Sequence, residues 1–157
     1  MLKNSVVLVV ADHDARVMGD ALVPINRFHI PGFIISEEVG AKLDDTLVSQ
    51  IDLAPTLLSL LGINAATPMI GQYLSNLPKD YTGRAIMQYG EKQAFYTGSE
   101  ITVLQPNKIN ASYHVSNNII QSQVTNSESK PNPQVTQAIA FAQFASWVYK
   151  HQKYSVY

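Results

Sequence analysis

A short, uninterrupted apolar segment near the start of the chain most constrains what the chain can fold into. Residues 6–10 read Val-Val-Leu-Val-Val, without charge and almost entirely β-branched. A strand with one solvated face alternates apolar and polar side chains, whereas a continuous apolar strand is typical of a parallel sheet covered on both faces. The segment therefore predicts a buried strand within an α/β architecture.

A second strand and a helix are predicted after this segment. Gly32-Phe33-Ile34-Ile35 has the residues of a short strand, with Pro31 at its beginning, where a missing N–H does least harm. The clearest helix lies between Ser49 and Gly62: Ser49 or Asp52 can cap its start, and Gly62 can end it. Strand, loop, strand and helix in this order indicate the edge of an α/β sheet.

The second half of the chain has a different character. Residues 84–103 alternate short β-prone runs with turn residues and predict two or three antiparallel strands. Residues 116–134 are polar, contain two prolines and predict a mobile loop. Residues 134–150 are rich in alanine and aromatic residues and predict a helix that packs on the domain.

Length, charge and cysteine content exclude several classes of protein. The 157 residues are enough for one domain with a genuine core. The net charge of -1, from 11 basic and 12 acidic residues, gives no reason to expect a nucleic-acid partner. The absence of cysteine excludes disulfides, thiolate catalysis and cysteine-based zinc sites. No apolar run approaches the roughly 18 to 20 residues of a membrane helix, and we expect no targeting segment.

Polar residues that could carry chemistry follow the first predicted strand directly. Asp12 and His13 come first, and Asp14 and Arg16 follow. Ligands of α/β sheets bind beyond the carboxyl ends of the strands, and carboxylate and imidazole donors suit Zn, Mn or similar divalent ions. The Arg16 guanidinium matches the oxygens of a phosphate or sulfate group. Spacing alone leaves a structural alternative open, in which Asp12 caps a turn and His13 is merely exposed.

Four segments of the chain resemble one known family. Residues 9–17, Val-Val-Ala-Asp-His-Asp-Ala-Arg-Val, resemble the metal-binding segment of the alkaline phosphatase superfamily. The resemblance is closer to its sulfatase-like branch, which includes lipoteichoic acid synthase and related phosphoglycerol transferases. Residues 23–31, residues 49–62 and Met69-Ile70-Gly71 fit the same family in the same order. The four segments together are specific to the superfamily and much less specific to one substrate.

This resemblance implies a fold and a division of the chain. The expected fold class is α/β: the C-terminal portion of a doubly wound sulfatase-like sheet, followed by a small antiparallel β subdomain and a C-terminal helix. Residues 1–75 would belong to the sulfatase-like α/β domain and residues 76–115 to the small subdomain. Residues 116–134 would form the polar loop and residues 135–157 the helix.

The resemblance also implies which residues bind metal. Asp12 and His13 match the family's metal ligands, with manganese the first expectation and magnesium, zinc or calcium as alternatives. Arg16 matches no family ligand, so its role in binding the substrate is a hypothesis from charge and proximity. No catalytic residue is assigned, because the family's nucleophile, a Thr, Ser or formylglycine, lies upstream of the Asp-His pair. We therefore expect that this chain does not turn over alone.

The remaining polar residues that such a site might use have simpler interpretations. We expect Asp52 to cap the helix. His29, His114 and His151 are expected to be structural, because a histidine beside an apolar run more often bonds backbone than metal.

The two predicted ligands, Asp12 and His13, are too few for a closed divalent site, which needs four or more donors with water or substrate among them.

Two functions from different classes follow. In the first, the chain is the C-terminal fragment of a metal-dependent hydrolase or phosphoglycerol-type transferase that acts on phosphate or sulfate esters. Its partner would be an N-terminal half outside this chain, and the resemblance implies a membrane-anchored protein with this domain outside the cytoplasmic membrane. In the alternative, the chain is a truncated, non-catalytic interaction module that pairs with another chain through an exposed sheet edge.

Overall fold

Seven strands and two α-helices make up the fold. The computed structural model describes residues 3–14, 19–37, 40–107, 110–124 and 132–154. In chain order the elements are β1 (Val6–Val10), β2 (Gly32–Ser36), α1 (Leu53–Leu60), β3 (Ala85–Tyr89), β4 (Lys92–Tyr96), β5 (Glu100–Leu104), β6 (Ala111–Ser116), β7 (Ile119–Gln123) and α2 (Pro133–Lys150). Short 3-10 helices occur at Ile25–Phe28, Gln50–Asp52 and Leu74–Asn76. The α/β class, the antiparallel strands and the C-terminal helix are confirmed.

The strands form two antiparallel sheets. β1 pairs with β2, and β3 to β7 form a five-stranded sheet in chain order, each strand paired with the next. Neighbouring strands of the five-stranded sheet follow one another in the chain, which is possible with short connections because antiparallel strands can be joined by tight turns. Gly90 at the β3–β4 turn has a φ of 59°, a conformation that glycine adopts without steric cost.

The five-stranded sheet is buried on both faces, and this is where the core lies. One face carries Met87, Ala94, Ile101 and Val103 and packs against residues 22–28. The other face is covered by α2, where the rings of Phe95 and Phe141 stack with centroids 5.5 Å apart. Successive side chains along each strand point to opposite faces, so the sheet contributes to two apolar layers, one against residues 22–28 and one against α2.

Helix α2 is joined to the sheet by hydrogen bonds at its first turn. The Asn132 side chain caps the helix by accepting from the Gln134 amide at 2.9 Å, and Pro133 occupies the first helical position. The Gln134 side chain then donates from Nε2 to the carbonyl oxygens of Phe95 and Glu100, both at 3.2 Å. These bonds hold the start of α2 against β4 and β5.

Two predictions at the level of elements were wrong in part. The continuous apolar pattern of β1 predicted a parallel partner, but the strand paired with β1 in the described residues is antiparallel. The continuous apolar pattern predicts coverage of both faces and indicates a parallel partner only indirectly, because parallel sheets are the ones usually covered on both faces. Residues 119–123, predicted to lie in a polar loop over residues 116–134, form strand β7, because pairing with β6 outweighs their polar composition. Residues 125–131 of that loop lie outside the described residues.

The two-stranded sheet exposes one of its faces. In the antiparallel register Val7 lies opposite Ile35, and Val9 lies opposite Phe33, so these four side chains share a face that we call the apolar face. Val9 is 51% exposed and Phe33 is 62% exposed. Helix α1 contacts β1, and on the opposite face of the pair Leu8 is half-buried. The burial on both faces that the sequence predicts is therefore absent from the described residues.

Candidate metal site

Asp12 and His13 lie in the loop that directly follows β1, as predicted. The Ala11 amide donates to the Pro31 carbonyl at 3.2 Å, so pairing with the other strand continues one residue beyond β1. Both side chains then project into solvent, with exposed fractions of 87% for Asp12 and 69% for His13. The end of the strand presents an accessible carboxylate beside an accessible imidazole.

The tautomer of the neutral His13 ring is set by its backbone contact. His13 Nδ1 lies 2.7 Å from the Asp14 carbonyl oxygen, which can only accept a hydrogen bond, so Nδ1 carries the proton. In the neutral imidazole Nε2 then keeps a free lone pair. A metal-binding histidine commonly donates its other N–H to a backbone carbonyl in this way.

The carboxylate of Asp12 is held next to that lone pair. Asp12 Oδ1 accepts from the His13 amide at 2.9 Å, and Asp12 Oδ2 lies 3.4 Å from His13 Nε2. The bond to the Asp14 carbonyl and then the negative charge of Asp12 raise the pKa of His13 above its usual value of 6.5. The loop thus favours the positively charged form of the His13 ring.

The pair fits a divalent cation in chemistry and in spacing. Two ligands of a tetrahedral ion with bonds of about 2.1 Å lie about 3.4 Å apart, which matches the Nε2 to Oδ2 separation of 3.4 Å. The described residues contain no group of three or more His, Cys, Asp or Glu that could hold a metal ion. Within the described residues, Asp12 and His13 could therefore supply only part of a coordination shell.

The predicted anion-binding residue cannot be placed. Arg16 falls outside the described residues, and its role in binding substrate stays a prediction. Asp14, next to the pair, lies with its Oδ2 atom 3.6 Å from Nη1 of Arg27, in the 3-10 helix before β2. This contact brings the Arg27 guanidinium against Asp14, which lies two residues after Asp12 in the chain, and the sequence did not predict it.

A buried carboxylate supports the helix that faces this loop. Asp52 is fully buried, and its side chain accepts from the Ser49 amide at 2.8 Å in a capping box, so Ser49 is the capping residue and Asp52 is its partner at the third position, without a side-chain cap of its own on α1. The same carboxylate accepts from the Gln72 amide at 2.7 Å and pairs with the Arg84 guanidinium at 2.8 and 3.2 Å. Arg84 is itself buried, and its guanidinium carbon lies 4.9 Å from the centre of the Phe141 ring.

Sequence reasoning missed the residue that connects this network to the candidate site. Gln50, one residue after Ser49, donates from Nε2 to the carbonyl oxygens of Ala11 and Asp12, both at 3.0 Å. The only signal in the sequence is its place in the Ser-Gln-Ile-Asp run at the helix start. Such a contact spans 38 residues, and local pattern does not report it.

Two of the other histidines contact neighbouring elements of the fold. His114 Nδ1 lies 3.9 Å from a Glu100 carboxylate oxygen across the β5–β6 pair, and His151 Nδ1 lies 2.8 Å from the Trp147 carbonyl at the end of α2. His151 thus has the backbone contact expected of a structural histidine. His29 is exposed before β2, and its structural role stays a prediction.

Comparison with known proteins assigns the family. The sulfatase family model matches residues 1–63, which include β1, the Asp12–His13 loop and α1. A solved structure, a protein in the alkaline phosphatase superfamily from Vibrio parahaemolyticus, superposes with a TM-score of 0.86 at 36% sequence identity over 99% of this chain. This chain is a sulfatase-like member of the alkaline phosphatase superfamily. It spans 38% of the length of that Vibrio protein.

The sulfatase-like fold shows no membrane-spanning helix in the part of the chain that the structure describes. Neither α1 nor α2 combines the length and the apolar composition that crossing a bilayer requires.

Proposed function

We propose that this sulfatase-like chain supplies Asp12 and His13 as ligands of a divalent cation in an enzyme that cleaves or transfers phosphate or sulfate esters. One observation carries the proposal. At the end of β1, His13 Nε2 lies 3.4 Å from Asp12 Oδ2, in solvent, and the Nδ1 contact with the Asp14 carbonyl makes Nε2 the nitrogen that bears the lone pair in the neutral ring. This is the donor arrangement that a borderline divalent ion prefers.

The chain's own residues prepare this site in two ways. The His13 amide holds one carboxylate oxygen of Asp12, which leaves Oδ2 directed toward the imidazole. The Asp14 carbonyl holds the ring so that Nε2 is the available nitrogen. A divalent cation bound there would supply charge neutralisation on the ester and a lowered pKa for a hydroxyl nucleophile.

The nucleophile and the remaining ligands belong, in this proposal, to polypeptide outside the present sequence. Two features support this. The chain spans 38% of the length of the Vibrio protein that it matches, and the apolar face of the β1–β2 pair is exposed. Within the proposal, the ion is manganese, the reaction is a phosphoglycerol-type transfer, and the complete protein is anchored to a membrane with this domain outside the cytoplasm.

Activity of the complete enzyme tests the proposal. In a protein that joins these residues to the nucleophile, Asp12→Ala should abolish Mn²⁺-dependent cleavage of bis-p-nitrophenyl phosphate. Asp44→Ala is the matched control, because Asp44 is an exposed carboxylate paired with Lys42 at 2.9 Å, and it should leave cleavage unchanged. Near-normal turnover of the Asp12→Ala protein would contradict the assignment.

A non-catalytic interaction module is the second candidate, favoured by the exposed apolar face. A chain with this function would associate through the β1–β2 pair and show no affinity for Mn²⁺ at Asp12 and His13. Titration with Mn²⁺ separates the two candidates, because association through the apolar face is expected of both. Binding of Mn²⁺ at Asp12 and His13 would exclude the second.

A further inference from the structure

The Gln50 side chain makes an unusual pair of contacts with the candidate metal loop. Its Nε2 atom lies 3.0 Å from the carbonyl oxygen of Ala11 and 3.0 Å from that of Asp12. Both partners are acceptors, so only the amide nitrogen of Gln50, with its two protons, satisfies both. One side chain therefore holds two consecutive backbone carbonyls, one of which belongs to the proposed ligand Asp12.

The base of this contact is rigid because Gln50 lies between two buried and bonded residues, Ser49 and Asp52. On one side, the Ser49 hydroxyl accepts from the Ile86 amide of β3 at 3.0 Å. Two residues beyond Gln50, fully buried Asp52 pairs with Arg84, next to the start of β3. The backbone of Gln50 is thus fixed to the five-stranded sheet on both sides of the residue.

We propose that Gln50 is a positioning residue for the Asp12–His13 site: it fixes the backbone of Ala11 and Asp12 so that the two proposed ligands stay side by side. The inference rests on the proposed function, because Gln50 positions metal ligands only if Asp12 and His13 bind a cation. The hydrogen bonds from Gln50 to the loop are present without the metal. Through Gln50, the buried Ser49–Asp52–Arg84 network beside the five-stranded sheet supports a loop that belongs to the two-stranded sheet.

Backbone order in the metal-free chain tests the contact. We expect ¹⁵N order parameters at Asp12 and His13 near the rigid value of about 0.85 in the wild-type chain and below about 0.7 in Gln50→Leu. Gln50→Glu, which turns the donor into an acceptor facing two carbonyls, should lower them as well. Gln121→Leu is the matched control, since Gln121 is an exposed glutamine whose Nε2 donates to a backbone carbonyl, that of Ile119, at 3.2 Å. Unchanged order at Asp12 and His13 in Gln50→Leu would overturn the proposal.

Titration with Mn²⁺ alone tests the consequence for the site. Gln50→Leu should weaken Mn²⁺ binding about threefold to tenfold, the factor expected for the loss of an ordinary hydrogen bond, while the thermal midpoint shifts by no more than about 2 °C, as for an exposed side chain. Asp12→Asn should remove the binding. If Asp12→Asn removes binding and Gln50→Leu binds like the wild type, Gln50 has no positioning role and the metal site stands.

The remaining outcome concerns the proposed function alone. If the wild-type chain shows no Mn²⁺ binding while Gln50→Leu lowers the order parameters, the contact of Gln50 with the loop is supported and the metal assignment is contradicted. The two failures are therefore distinguishable within one set of variants.

Discussion

Burial separates two carboxylates of this chain into opposite roles. Asp52 is fully buried, and its oxygens accept from two backbone amides and the Arg84 guanidinium. The Asp12 side chain is 87% exposed, and in the contacts described above its carboxylate meets only the neighbouring His13, through the amide and through Nε2. A carboxylate saturated with donors stabilises the fold, whereas an exposed one can exchange water for a cation.

Removal of the Asp52 charge should destabilise the chain strongly. Asp52→Asn keeps the shape of the side chain but leaves the buried Arg84 guanidinium without its counter-charge, which typically costs about 3–5 kcal/mol. Urea denaturation should show a loss of that size in the free energy of unfolding. Asp44→Asn, which breaks the exposed pair with Lys42, should cost less than about 1 kcal/mol. Equal losses for the two variants would contradict the importance of burial.

The loop around His13 should make that histidine more basic than usual. We expect its pKa in the metal-free chain, followed by NMR of the ring protons, to lie above 6.5 because the Asp14 carbonyl and the Asp12 carboxylate both favour the imidazolium. Any stability that this charge contributes is present below pH 6.5 and lost as pH rises through the raised pKa. Asp12→Asn should move the pKa back toward 6.5 without removing the contribution of the Asp14 carbonyl. A pKa at or below 6.5 in the wild type would show that the loop geometry is wrong.

At the scale of single residues, the sequence predicted those residues whose partners lie close to them along the chain. Asp12 and His13 stand out because they follow a strand and match a family motif, and Asp52 stands out because a cap acts within four residues. Arg84 lies 32 residues from Asp52, and nothing in its local sequence distinguishes it from a surface arginine. Partners set by tertiary folding are invisible to patterns that report only periodicity and capping.

At the scale of elements, one close backbone approach determines how the start of α1 is supported. A Cβ atom on Gly71 would overlap the carbonyl oxygen of Ile51 and lie 2.9 Å from the Asp52 Cα. Gly71 therefore allows its segment to lie against the Gln50–Asp52 turn, where the next amide, that of Gln72, bonds Asp52. The last residue of the Met69-Ile70-Gly71 segment must therefore be small for this segment to pack against the Gln50–Asp52 turn.

An added methyl group at that position should separate the two segments. Gly71→Ala forces a backbone shift and should lower the free energy of unfolding by about 1–3 kcal/mol or more, as for overpacked cores. Differential scanning calorimetry should show a clearly lower midpoint. Gly40→Ala, at a position where an added Cβ meets nothing within 4 Å, is the control and should change the midpoint little. A Gly71→Ala chain as stable as the wild type would contradict the close approach.

Elements were predictable where local signals agreed with tertiary structure. The Ser49 cap and Gly62, with a φ of 67°, bracket the α1 region as expected, and β3 to β5 and α2 lie close to their predicted ranges. Strand β7 was missed because residues 119–123 have exposed polar positions and gain their structure from pairing with β6. The direction of β1 was missed because a continuous apolar pattern reports coverage and not pairing.

At the scale of the whole molecule, the exposed apolar face and the partial structural match both indicate that further structure packs on the β1–β2 pair. Val9 and Phe33 are more than half exposed on a sheet of two strands, and an exposed apolar patch of this kind marks an interaction surface. The chain matches 38% of the Vibrio protein, so that fold contains further structure beyond the matched part. We propose that further structure of this kind covers the apolar face in the complete protein.

The isolated chain should consequently associate through this face. We expect the wild-type chain to form dimers or larger species in sedimentation velocity as concentration rises, and Phe33→Lys to reduce that association without lowering the unfolding midpoint. Tyr149→Lys is the control, because Tyr149 is 75% exposed on α2, away from the apolar face, and it should leave association unchanged. Equal association in the Phe33→Lys and wild-type chains would exclude the apolar face as the surface of contact.

Paramagnetic broadening by Mn²⁺ tests the central claim most directly, because it locates a weakly bound ion residue by residue. In ¹⁵N-labelled wild-type chain, substoichiometric Mn²⁺ should broaden the amide signals of residues 11–14 first, and Asp12→Asn should abolish this broadening. The adjacent exposed carboxylates Asp44 and Asp45 provide an internal comparison for nonspecific binding. Broadening at Asp44 and Asp45 with sharp signals at Asp12 and His13 would contradict the assignment of these two residues as metal ligands.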